Sequence, residues 1–68
     1  MNDVEDRMMK WFHFEHLPEY LQPVSRQFYL LALTICEHVD GGPERTVALR
    51  KLLEAKDAAV RAKVHPGG

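Results

Sequence analysis

Apolar residues recur along this chain at helical spacing, and nowhere at the strict alternation of a strand. Val4, Met8, Trp11 and Phe12 fall at i, i+4, i+7 and i+8. Asn2 stands ahead of them with Glu5 three residues on, the arrangement of a capping box. Pro18 ends the segment, because the residue before a proline is held out of the helical region. These features predict a short N-terminal helix and turn over 1–17. A second stripe follows: Val24, Phe28, Leu31, Ile35 and Val39 mark a first hairpin helix over 18–40, opened by Pro23. Tyr29, Leu30, Ala32, Leu33 and Cys36 make that helix apolar nearly all round, a pattern that demands burial on more than one side.

Asp40-Gly41-Gly42-Pro43 reads as a stop and restart, with glycine past the end of one helix and proline opening the next. The second hairpin helix, 43–64, is rich in Ala, Leu, Lys, Arg and Glu, all strong helix formers. Ala48, Leu52, Ala55, Ala59 and Ala62 align into a small-residue face suited to close helix approach, and Leu49, Leu53, Val60 and Val64 adjoin it. Asp57 and Arg61 have the i, i+4 spacing of an ion pair, and the tail 65–68 is expected to fray. The predicted fold is all-α: an antiparallel two-helix hairpin with an additional short N-terminal helix, one domain over residues 1–68.

Length sharpens this picture. A domain of 68 residues supplies roughly 3–5 kcal/mol from its core and usually adds disulfides, a metal or self-association. The single cysteine, Cys36, cannot form an intrachain bridge and sits among apolar neighbours as a packed thiol. His13 and His16 are three apart while His38 and His65 are scattered, which is not the spacing of a three- or four-ligand metal site. Self-association is therefore the expected source of the missing stability. No cofactor is called for.

Charge adds a direction. The net charge is −1, but residues 1–40 carry −4 and residues 41–68 carry +3. Two halves of opposite sign attract when folded together; alternatively, a basic helix presents cations to an anionic ligand. The low total charge argues against a general DNA binder. The stretch Gln27–Cys36, the longest without a charge, is far short of a membrane span, and the acidic start MNDVEDRMMK is unlike a signal peptide. The cytoplasm is the expected location. No serine, cysteine or lysine is placed as an activated nucleophile, and no glycine-rich phosphate loop is present, so an enzyme is not expected.

Candidate binding chemistry lies in the aromatic residues. Trp11, Phe12, Phe14, Tyr20, Phe28 and Tyr29 all fall within the first 29 residues. They serve either as core and interface packing or as stacking surfaces for nucleobases. Arg26 lies one helical turn from Tyr29. Arg45 and Thr46 sit in the first turn of the second hairpin helix, where free amides favour an anion.

Two stretches, FHFEHLP (Phe12–Pro18) and ERTVALRKLLEAKDAAVRA (Glu44–Ala62), resemble the helical-hairpin domain shared by phage anti-CBASS and anti-Thoeris sponge proteins. The resemblance spans about residues 12–62. It implies a catalytically inert phage protein in the cytoplasm of an infected bacterium, one that sequesters cyclic di- or trinucleotide immune messengers. It further implies a homo-oligomer, a hexamer of interlocked hairpins, with pockets between subunits. By the same resemblance, Phe14 matches the ring that stacks on a base, with His16 beside it. Arg26 and the Arg45-Thr46 pair stand where basic and hydroxyl groups meet phosphate. Tyr29, the aromatic residue one turn from Arg26, completes the candidate ligand-binding set. Two other function classes are open to these residues: an oligomeric helical protein–protein interaction module acting on a host or phage protein, and a small nucleic-acid-binding helical domain using Arg45, Arg50, Lys51 and Lys56.

Overall fold

A computed structural model describes residues 7–67. It consists of a 3-10 helix at Arg7–Phe12, a short 3-10 turn at Glu19–Leu21, helix α1 (Gln22–His38) and helix α2 (Pro43–Val64). The described residues hold no strand, and the two long helices form an antiparallel hairpin with the N-terminal 3-10 helix laid against both. The expected N-cap Asn2, together with Val4 and Glu5, lies outside the described residues.

The N-terminal segment differs from expectation in its pitch. A 3-10 helix has three residues per turn, so residues i and i+3 share an edge. Met9 and Phe12 thereby face inward together and are buried, while Trp11, expected on the packed face, is 55% exposed. Phe12 is fully enclosed and forms a core cluster with Met9, Ala32, Cys36 and Leu49.

In α1 the most buried edge lies one residue beyond the expected stripe and overlaps it. Of the stripe, Val24, Phe28 and Ile35 are half-buried, Phe28 and Ile35 against the core, while Leu31 and Val39 are exposed; Ser25, Ala32 and Cys36 are buried and Tyr29 is half-buried. One residue turns the helix by about 100°, and the reason for the turn is size. Small residues on α1 admit Phe12 and Leu49 to close range, whereas a row of leucines would hold them off. Leu30 and Leu31 then point outward and are 41% and 48% exposed. Cys36 is a buried thiol.

In α2 the packed edge runs between the two expected faces. Of the Leu49 face, Leu49 is buried and Leu53 and Val60 are half-buried while Val64 is exposed; of the small-residue face, Leu52 and Ala59 are half-buried while Ala48, Ala55 and Ala62 are exposed. Lys56 lies on the packed face with its stem covered and its Nζ 3.0 Å from Asp57 Oδ1, as long charged side chains do when their head can reach water. Asp57 thus pairs with its neighbour Lys56 instead of with Arg61. The other described ion pair on α2, Lys51–Glu54 at 3.9 Å, is equally local, so the described ion pairs do not join the two oppositely charged halves of the chain.

The loop between the helices also closes by another route than expected. Neither Gly41 nor Gly42 adopts the left-handed conformation of a glycine C-cap; Gly67 alone among the described glycines has a φ in that region. Instead Arg45, buried in the first turn of α2, sends its guanidinium back across the loop. Its Nη1 donates to the Val39 carbonyl at 2.9 Å and lies 3.5 Å from the Cys36 carbonyl. The last carbonyls of a helix have no intrahelical partner, and a cation there also meets the negative end of the helix dipole. Gly41 leaves the space for it, since a Cβ at that position would lie 3.2 Å from Arg45 Nη2.

The whole measures 39 × 21 × 15 Å. That is about two helix diameters wide and little more than one thick. A slab of this shape has no second layer with which to cover both sides of α1. No helix of the described residues is long and apolar enough to cross a membrane.

Candidate functional site

The six residues expected at a ligand site fall into two groups. The first surrounds the turn between the N-terminal 3-10 helix and α1. Phe14 is half-buried there, and its ring meets that of Tyr29 edge to face, with centroids 5.6 Å apart and planes at 62°. His13 approaches the same Tyr29 ring at 5.9 Å and 69°. Tyr29 is thus held between two rings from the preceding turn, an arrangement worth roughly 0.5–1.5 kcal/mol per pair beyond area burial. His16, expected beside Phe14, is exposed, and the histidine that joins the cluster is His13. Arg26 is exposed on α1 three residues before Tyr29, close enough on a helix surface for their side chains to be neighbours.

Gln22 holds this turn, a role not read from the sequence. Its Nε2 donates to the Leu17 carbonyl at 2.9 Å and lies 3.4 Å from that of Glu15. The Phe14 amide points to Glu15 Oε1 at 3.4 Å, and Leu17 N donates to Phe14 O at 3.0 Å. A glutamine at the first position of a helix, just after an X-Pro turn, is the signal that could have located it. The proline sets the chain's direction, and the amide supplies the donors that the loop carbonyls need.

The second group is at the start of α2. Arg45 is buried against α1 as described above, so the guanidinium expected to face a ligand is committed to main-chain carbonyls. Thr46 is half-buried, with its hydroxyl donating to Gly42 O at 3.2 Å. Beside it lies a cleft of about 460 Å³ lined by Arg7, Met8, Thr46 and Arg50. Thr46 and Arg50 are one turn apart on α2, while Arg7 and Met8 come from the N-terminal 3-10 helix. The cleft exists because Phe12 draws that 3-10 helix onto the hairpin.

Among the described residues, no three His, Cys, Asp or Glu side chains converge as a metal site would require. Comparison of the chain with protein-family models, with curated proteins and with solved structures finds no match. Fold and site together define the class: a small helical hairpin with an aromatic turn at one end of the first long helix and an arginine-lined cleft beside the second.

Proposed function

We propose that this protein is a phage anti-defence sponge, an oligomeric helical hairpin that binds and sequesters cyclic oligonucleotide immune messengers in pockets between subunits. Two stretches of sequence support the reading, the FHFEHLP turn and the ERTVALRKLLEAKDAAVRA helix, which resemble the anti-CBASS hairpin domain. The observation that carries it is the Phe14–Tyr29 ring pair, 5.6 Å between centroids, with Arg26 three residues away on an exposed helix surface. Aromatic faces stack on any nucleobase, and a guanidinium matches the oxygens of a phosphate diester. In this reading Phe14 and Tyr29 stack, Arg26 and His16 meet phosphate, and Arg45 holds the hairpin turn. Calorimetry with a panel of cyclic di- and trinucleotides tests it: saturable binding that Phe14→Ala and Arg26→Ala each weaken is expected. No heat at high micromolar ligand across the panel would overturn it.

A second reading rests on a different observation. Leu30, Leu31, Val39 and Val47 are all large, apolar and two-fifths or more exposed, as suits a helical module that docks on protein. A stoichiometric protein partner captured from host lysate, with no nucleotide response, would favour this reading over the first.

A further inference from the structure

Arg7 and Arg50 reach the same cleft from different elements. Two guanidinium groups around one cavity repel unless something negative lies between them. None of the described ion pairs supplies it: the acid one turn beyond Arg50, Glu54, faces Lys51 at 3.9 Å, and Asp57 faces Lys56 at 3.0 Å. Thr46 adds no donor, because its hydroxyl hydrogen is used on the Gly42 carbonyl. Among the described residues, the lining of the cleft therefore offers two planar, permanently charged forks and no carboxylate.

From this we infer that the Arg7–Arg50 cleft is a binding site for a small phosphate monoester. Charge selects the class. A terminal phosphate carries about −1.5 to −2 at neutral pH and can engage both guanidinium groups, each of which donates two parallel N–H bonds to its oxygens. A phosphodiester carries one negative charge and leaves half of the cationic charge uncompensated. Volume selects the rest of the ligand. At about 460 Å³ the cleft is of the size that holds an organic molecule, more than a bare phosphate ion fills. Met8 also lines the cleft, and its polarizable thioether is a good surface for a flat ring. The expected ligand thus has a phosphate at the arginines and a ring against Met8. This site is separate from the Phe14–Tyr29 turn and does not rest on the sponge reading.

The test is a titration of the full chain followed by amide and guanidinium NMR shifts, at constant ionic strength, with three probes: phenyl phosphate, inorganic phosphate and dimethyl phosphate. Phenyl phosphate should saturate in the millimolar range or below and move Met8, Thr46 and Arg50. Inorganic phosphate should bind more weakly, and dimethyl phosphate at least about tenfold more weakly, since it presents half the charge to the two forks. Arg50→Gln and Arg7→Gln should each weaken phenyl phosphate by about tenfold or more while leaving the circular dichroism unchanged; both side chains are exposed. Equal binding of monoester and diester, shifts that never saturate, or a response that both variants retain would each overturn the assignment. A cyclic-nucleotide response lost in Phe14→Ala but kept in Arg50→Gln would separate failure of one site from failure of the other.

Discussion

The guanidinium of Arg45 donates to the main-chain carbonyl of Val39 at 2.9 Å, so the first turn of α2 caps the end of α1. This contact joins the two helices at the point where the Gly41-Gly42 loop adds no left-handed cap. It also explains why a residue suited by type to phosphate is buried. Arg45→Ala should leave the last carbonyls of α1 without this donor. A hydrogen bond to a charged group contributes about 1.5–3 kcal/mol, a large part of what a domain this size holds. Urea unfolding followed by circular dichroism should show a lowered midpoint. Lysine at 45 should restore little, because it lacks the planar fork. An unchanged midpoint in Arg45→Ala would remove the capping role.

Phe12 and Trp11 are neighbours with opposite fates. Phe12 is enclosed by Met9, Ala32, Cys36 and Leu49, and Trp11 is largely exposed with Lys10 Nζ 5.1 Å from its ring. Phe12→Ala opens a cavity costing about 3–5 kcal/mol and should leave the chain largely unfolded at room temperature. Trp11→Ala should change stability by less than about 0.5 kcal/mol. Thermal melts of the two variants compare them directly, and a stable Phe12→Ala protein would contradict the packing described.

Ser25 is fully buried, and its hydroxyl has no hydrogen-bond partner among the described residues. Burying such a group unpaired costs about 1–3 kcal/mol. Ser25→Ala keeps the small size that α1 needs at this edge and removes the hydroxyl. It should raise the unfolding midpoint. A fall would indicate that the hydroxyl has a partner in solution.

Leu31 tests self-association without disturbing the core. It points away from Phe12 and Leu49, so Leu31→Glu buries no charge within one copy. Light scattering should report a multiple of 7.9 kDa for the natural chain and a smaller mass for the variant, with helical circular dichroism retained. Equal masses for the two proteins would exclude this face from any interface.

At the aromatic turn, Gln22→Ala removes the donor to the Leu17 and Glu15 carbonyls. The outcome expected is faster amide hydrogen exchange over residues 13–18, with α2 unaffected. Exchange unchanged in that turn would show that Pro18 alone holds it.

The helical content was legible along the chain because periodicity, prolines and the Asp40–Pro43 break are local signals. They need no knowledge of neighbours. The hairpin, the two long helices and the buried thiol of Cys36 followed from them, and so did an apolar surplus on α1. The Phe14–Tyr29 pairing was half legible, since both are aromatic but their approach depends on how the turn folds back.

Tertiary packing decided which edge of each helix faces inward. Hydrophobicity ranks Leu31 above Ala32 and Leu52 above Arg45, yet Ala32 and Arg45 are the buried ones. Phe12 and Leu49 fill the space between the helices, and only small side chains on α1 leave room for them. Arg45 is buried because α1 ends beside it with carbonyls to satisfy. Arg7 and Arg50 share a cleft because Phe12 anchors the segment that carries Arg7. A linear pattern records the tendency of each residue to leave water, whereas volume and hydrogen-bond demand belong to whichever group arrives opposite, and that is known only once the chain has folded.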